Sequence, residues 1–246
     1  MPRGLAVAEG RRRGGVIYDV DGTLLDTNYL QVTAWWDAFR ERGHDVACAD
    51  IHRALGRSSD DLITRVLGHP DPSVSAAHSR YIAPYLGRMR PLAGAAELLR
   101  ATGRLGLNVV LATSAKDAEL DLMLDALGAR DAVDTVVSSG DVKQAKPDPE
   151  IVDQALADSG TDPDRAVMVG DTVWDVQAAQ RAGLPCVGLL SGGISEEELR
   201  GAGAAETFKD PAALLDKLAD SAIGALTGSR REPSPDRPGG GPAARR

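Results

Sequence analysis

Five short apolar runs punctuate this chain, and each ends on a polar or hydroxyl-bearing segment. Gly15-Val16-Ile17-Tyr18 leads into Asp19, Leu107-Asn108-Val109-Val110-Leu111-Ala112 into Thr113, and Thr135-Val136-Val137 into Ser138. Ala166-Val167-Met168-Val169 leads into Gly170-Asp171, and Cys186-Val187-Gly188-Leu189-Leu190 into Ser191. A strand with one wet face alternates polar and apolar residues. A strand covered on both faces reads as a continuous apolar run, as these do, and that is the pattern of a parallel sheet. Helical periodicity fills the gaps. Leu120, Met123, Leu124 and Leu127 share one face of a helix over 118–127, which Gly128 can end. Asp148 and Pro149 form an N-cap and first-turn pair for a helix through Ala157, and a helix over 172–182 stops at Gly183. The alternation predicts an α/β fold, a doubly wound Rossmannoid parallel sheet, with ligands beyond the carboxyl ends of its strands.

The region 28–90 breaks this rhythm, with helical patterns and no strand. Leu30, Ala34, Trp35, Ala38 and Phe39 make one stripe. Ser59 is placed to cap a second helix carrying Leu62, Ile63, Val66 and Leu67. A third carries Val74, His78, Tyr81, Ile82 and Tyr85, with Pro84 expected to kink or interrupt it. The predicted organisation is a core domain from 14–27 plus 91–222, an inserted all-helical domain over 28–90, and a Pro-, Gly- and Arg-rich tail over 228–246 predicted to be disordered.

With 246 residues and 43% apolar content the chain can bury such a core. A net charge of -8 argues against general nucleic-acid binding, which needs a basic face. No apolar run spans a bilayer, and no signal-like core follows Arg11-Arg12-Arg13. A cytoplasmic protein, monomeric or weakly dimeric, is the expectation. Cys48 and Cys186 lack metal-ligand spacing and read as buried or semi-buried thiols. His44, His52, His69 and His78 show no ligand spacing either.

Parallel strand ends lie on one edge, so Asp19 and Asp21, Thr113 and Ser114, Lys146, and Asp171 and Asp175 can converge. Any one of these segments alone is an ordinary turn, cap or loop. Four of them in order, each at the end of an apolar run or just after it, are not. Carboxylates at such density repel unless a hard cation joins them, and oxygen ligands favour Mg²⁺. Lys146 adds a fixed positive charge. That set suits a phosphoryl group in transfer, with Asp19 as nucleophile and Asp21 as proton donor and acceptor.

These segments resemble the four motifs of the haloacid dehalogenase superfamily of phosphohydrolases: Asp19-Val20-Asp21-Gly22-Thr23, Thr113, Lys146-Pro147-Asp148-Pro149, and Gly170-Asp171-Thr172-Val173-Trp174-Asp175. The resemblance runs over 16–217. It implies a Rossmannoid core with a helical cap inserted after the first motif. By position it implies that Asp19 is nucleophile and metal ligand, and that Asp21 is acid/base and binds the metal through its backbone carbonyl. Thr113, Ser114 and Lys146 would hold the phosphoryl group, Asp171 would bind Mg²⁺, and Asp175 would support the metal through water. Dehalogenases of the superfamily lack the acid/base Asp two residues after the nucleophile, which Asp21 supplies here. Mutases of the β-phosphoglucomutase type carry a cap histidine where this chain has Gln31, which favours a phosphatase with a small phosphorylated metabolite as substrate. A sugar phosphomutase is the alternative, and a non-catalytic binding protein a more distant one. Gly56-Arg57-Ser58 resembles the family's specificity loop, so Arg57 is a candidate for substrate selection. Lys116 is a candidate for positive potential at the cleft, or a solvated helix-start lysine. Trp35 and Trp36 are placed to line the cap, Trp35 also reading as core.

Overall fold

The computed structural model describes residues 12–115 and 117–228. Lys116 and the tail beyond 228 therefore lie outside the described residues. The strands are β1 (Gly15–Tyr18), β2 (Asn108–Ala112), β3 (Thr135–Val137), β4 (Ala166–Gly170), β5 (Cys186–Leu189) and β6 (Glu206–Phe208). Between β1 and β2 come α1 (Asn28–Glu41), α2 (Cys48–Ala54), α3 (Ser59–Leu67), α4 (Pro72–Leu86) and α5 (Ala95–Arg104). Then follow α6 (Asp117–Leu127), α7 (Glu150–Ser159), α8 (Val173–Arg181), α9 (Glu196–Gly201), α10 (Pro211–Asp216) and α11 (Ala222–Ala225).

The sheet has order β3-β2-β1-β4-β5-β6. Every neighbour pair is parallel. Alternate residues of each strand serve opposite layers, which is why the runs are apolar throughout. Val16, Tyr18, Val109, Leu111, Val167 and Val169 pack with Leu98 and Leu99 of α5 and Met123 of α6. Ile17, Val110, Ala112 and Met168 pack with Ile151, Val152 and Ala155 of α7 and Val176 of α8. Full burial of each large side chain contributes about 1.5–3 kcal/mol relative to exposure. β1 is central, and the chain runs outward from it first on the β2 side and then on the β4 side. The carboxyl ends of β1 and β4 therefore flank the point where strand order reverses, the expected ligand crevice of such a sheet.

The helices α1–α4 share an apolar cluster of their own, built on Val32, Trp35, Phe39, Ile51, Leu62, Ile63 and Val74. The chain enters and leaves this segment side by side, the Asp26 N–H donating to the Arg90 carbonyl at 2.9 Å.

Several local expectations are corrected. β6 was not anticipated, being three half-buried residues in a polar context. α2 was not either, its seven residues carrying too little apolar pattern. Pro84 does not interrupt α4, which runs to Leu86; in the last turn a missing N–H costs little. Ser58, not Ser59, caps α3, its hydroxyl accepting from Asp61 N at 3.2 Å. Asp148 lies one residue before the N-cap of α7, though its carboxylate accepts from Glu150 N at 3.0 Å. Cys48 is exposed, whereas Cys186 is buried. Among the described residues, no helix is long and apolar enough to cross a membrane.

Candidate active site

β1 ends at Tyr18, and the Asp19 N–H continues its ladder by donating to the Val169 carbonyl of β4 at 2.9 Å. The chain then turns tightly, with Gly22 N donating to Leu25 O at 2.8 Å. Gly22 holds φ 73°, in the left-handed region, and a Cβ there would overlap the Asn28 amide and the Asp171 carboxylate. Only glycine lets the turn lie that close to the acidic residues of the β4 end.

Those residues form a tight group. Carboxylate oxygens of Asp19, Asp171 and Asp175 lie within 4.8 Å of one another, all buried. Lys146, also buried, reaches in from the loop after β3. Its ammonium contacts Asp19 Oδ1 and lies 2.7 Å from Asp175 Oδ1. It also donates to the Ala112 carbonyl at the end of β2 at 3.2 Å. Asp175 is held from its other side by the capping box of α8, its Oδ2 accepting from Thr172 N at 3.0 Å and Thr172 Oγ1 at 2.6 Å.

The electrostatics follow from burial. Desolvation raises the Asp19 carboxyl well above its usual range, Lys146 opposes this, and the Asp175 and Asp171 charges add to it. Asp171 is pushed up to about 7 by burial and by the Asp175 charge, against hydrogen bonds from Asn28 and Thr23. Burial acts against the Lys146 charge, but Asp175 and Asp19 outweigh it and hold the amine above its usual range. One ammonium thus faces three crowded carboxylates. A glycine cradle completes the pocket: a Cβ on Gly192 would overlap the Asp171 carboxylate. This all-oxygen, net-negative donor set fits a hard divalent cation.

Asp21 lies apart from that group. Burial raises its pKa, and hydrogen bonds from Thr27 and Gln31 draw it back. Thr27 is the N-cap residue of α1 yet makes no side-chain cap; its hydroxyl donates to Asp21 Oδ1 at 2.5 Å instead.

A cleft of about 630 Å³, counting its open mouth, lies between the strand ends and α1–α4. Asp19, Asp21 and Ser114 line it from the sheet side, and Gln31, Trp35, Arg57 and His78 from the helical side. Thr113 is not among the residues that line it. Its Oγ1 accepts from Ala115 N at 3.1 Å, and it borders a separate apolar hollow against α6. Arg57 lies in the cleft wall, its guanidinium 4.5 Å above the Trp174 ring and its Nη2 3.7 Å from Asp61. Arg65 approaches the same ring at 5.1 Å, so Trp174 joins α8 to the helical segment. Trp36 faces Arg40 instead of the cleft.

Sequence reading missed Thr23, Asn28 and His78. Thr23 Oγ1 and Asn28 Nδ2 each donate to Asp171 at 2.9 Å, fixing both oxygens of its carboxylate. Thr23 was inside a recognised motif and was open to assignment. Asn28 opens a helix and carries no signal of its own.

Residues 16–189 match the family model for haloacid dehalogenase-like hydrolases. A phosphoglycolate phosphatase of Rhodospirillum rubrum is 32% identical over 224 residues, covering 82% of this chain and 90% of that protein. A validoxylamine A 7'-phosphate phosphatase of Streptomyces hygroscopicus is 29% identical, covering 71% and 84%. The crystal structure of a hydrolase from Pseudomonas syringae superposes with a TM-score of 0.79 at 31% identity, covering 85% of this chain and 98% of that one.

Proposed function

This chain belongs to the haloacid dehalogenase-like hydrolases, acting on phosphate esters, and from that premise we propose a Mg²⁺-dependent phosphatase of small phosphomonoesters working through an aspartyl-phosphate on Asp19. The observation that carries this reading is the buried group of Asp19, Asp171 and Asp175 around Lys146 at the ends of β1 and β4.

The Asp19 carboxylate attacks phosphorus while the bond from phosphorus to the substrate's alkoxide oxygen breaks. Asp21, protonated at this point, gives its proton to the departing alkoxide. Water then attacks the aspartyl-phosphate, Asp21 takes a proton from it, and the bond from Asp19 to phosphorus breaks to release inorganic phosphate. Lys146 balances the Asp19 charge and the phosphoryl oxygens, with Ser114 as a further donor. The carboxylates of Asp19 and Asp171 and the backbone carbonyl of Asp21, with Asp175 in support, would hold Mg²⁺, which would supply Lewis acidity to neutralise phosphoryl charge. The α1–α4 segment acts as a cap that excludes bulk water and selects the substrate. Arg57 is its candidate anion-binding residue.

The named relatives are a phosphoglycolate phosphatase and a validoxylamine A 7'-phosphate phosphatase, so small phosphomonoesters in a cytoplasmic setting are the natural panel. Purified protein with Mg²⁺ is expected to release phosphate from 2-phosphoglycolate or from sugar phosphates. Failure to release phosphate from any phosphomonoester would overturn the reading.

A further inference from the structure

His78 of α4 is 7% exposed and its ring lies flat on Trp35 of α1, centroids 3.8 Å apart and planes 9° from parallel. That stack fixes the ring plane, and Nε2 meets Gln31 Oε1 at 3.0 Å. An amide oxygen only accepts, so Nε2 carries the proton in this contact. With its oxygen so engaged, Gln31 has its NH₂ to offer elsewhere, and it lines the same cleft as Asp21, whose carboxyl pKa the amide draws down. A glutamine by itself is a poor guide for a carboxylate, because its oxygen and nitrogen exchange places by a flip at little steric cost. A histidine protonated at Nε2 can meet only the amide oxygen, and so selects this orientation. Asp21 lines the sheet side of the cleft, and Gln31, Trp35 and His78 line its helical side.

We propose that His78, acting through Gln31, is a positioning residue that holds the Asp21 carboxyl toward the leaving-group oxygen of the substrate. The proposal rests on the reading of Asp21 as acid/base given above. Thr27 restrains Asp21 Oδ1 from the start of α1. Gln31 is a second restraint on the same helix, and His78 anchors it from 47 residues further along the chain. The aim of the proton donor is thus tied to the packing of α4 on α1.

The test compares kcat/KM for an alkyl phosphate, 2-phosphoglycolate or a sugar phosphate, with that for p-nitrophenyl phosphate. This parameter reports the step in which the leaving group departs. An alkoxide needs a proton to leave, and p-nitrophenolate scarcely does. His78→Phe keeps a ring to stack on Trp35 and removes the donor; His78→Gln restores a donor near the Nε2 position. For His78→Phe, kcat/KM on the alkyl ester is expected to fall roughly 10²-fold, through kcat more than KM. The fall on the aryl ester should be at least about tenfold smaller, a fraction of the acid catalysis it scarcely needs. Gln31→Leu should reproduce the pattern and His78→Gln should largely reverse it. Asp21→Asn is the control, with the same ester selectivity in stronger form. Equal losses on both esters in His78→Phe, no loss, or no rescue by His78→Gln overturns the proposal while Asp21→Asn leaves the acid/base reading standing. A wild-type protein inactive on both esters, or an Asp21→Asn variant without ester selectivity, overturns that reading and this proposal with it.

Discussion

The two walls of the cleft are built on different physics. The sheet wall is charged and dry: three carboxylates and an ammonium, all buried, positioned by backbone at the ends of β1 and β4 and by the capping box of α8. The helical wall is aromatic and amide-bearing, with one guanidinium, and it rests on an apolar cluster separate from those of the sheet. The first wall is costly to assemble and specific in what it can bind; the second is easy to vary. On the proposed function, chemistry belongs to the wall that cannot move without breaking the sheet, and selection to the wall that can.

The hardest blow to that division is Asp19→Asn. It should leave the fold intact and lower phosphate release by roughly 10⁴-fold or more, as removal of a nucleophile does. Near-wild-type turnover would put the nucleophile elsewhere. Asp171→Asn should also remove Mg²⁺-dependent activity, yet act on stability in the opposite sense. The Asp171 carboxyl is raised to about 7 from a usual value of 3.8. The folded, metal-free protein therefore holds a proton that the unfolded chain has released, and stability falls as pH rises through that window. In chelator at pH 8 the Asn variant should melt above the wild-type protein, and the difference should shrink toward pH 4. Added Mg²⁺ should raise the melting temperature of the wild-type protein alone. A wild-type protein whose melting temperature ignores both chelator and Mg²⁺ would sink the view of the sheet wall as a cation site.

The difference between the walls also explains what was legible beforehand. Parallel strands need continuous apolar runs, and their ends must carry the polar residues, so five strands and Asp19, Asp21, Lys146, Asp171 and Asp175 stood at fixed places in the sequence. β6 stayed hidden because an edge strand with half-buried residues has no such run. The helical wall gave itself away only as a region without strands. Gln31 and His78 meet because α1 and α4 pack together, and no short-range pattern encodes that. Thr27 stands at the N-cap position of α1, and the fold diverts its hydroxyl to Asp21.

Arg57→Ala tests the helical wall. Burial lowers the pKa of its guanidinium, with Asp61 acting against this, and it lines the cleft beside Leu55 and Ser59. If it meets a second anionic group on the substrate, KM for 2-phosphoglycolate or another doubly anionic ester should rise about tenfold, the loss of one charged hydrogen bond. KM for p-nitrophenyl phosphate, which has no second anion, should change much less. A uniform rise across both would assign Arg57 to holding Trp174 and the helical segment in place.

Ser58→Ala asks the gentlest question, namely whether the two walls melt as one. Ser58 caps α3 and touches none of the carboxylates; its hydroxyl accepts from Asp61 N in the first turn. Losing such a cap costs about 1 kcal/mol, or about 2–4 °C for a chain of this size if unfolding is a single transition. A separate apolar cluster gives α1–α4 the means to unfold on their own. The links from this segment to the core are mostly polar: the His52 ring to the Gly192 carbonyl at 2.7 Å, Arg53 to Glu198 at 2.8 Å, Asn28 to Asp171 and the Gly192 carbonyl, and the arginines on Trp174, with Leu86 at the end of α4 packed on the sheet's apolar cluster. Calorimetry of the variant should therefore show an early transition displaced downward while the later one stays in place. A single transition shifted as a whole would mean that these contacts couple the walls fully, and that the helical wall is as rigid as the sheet wall.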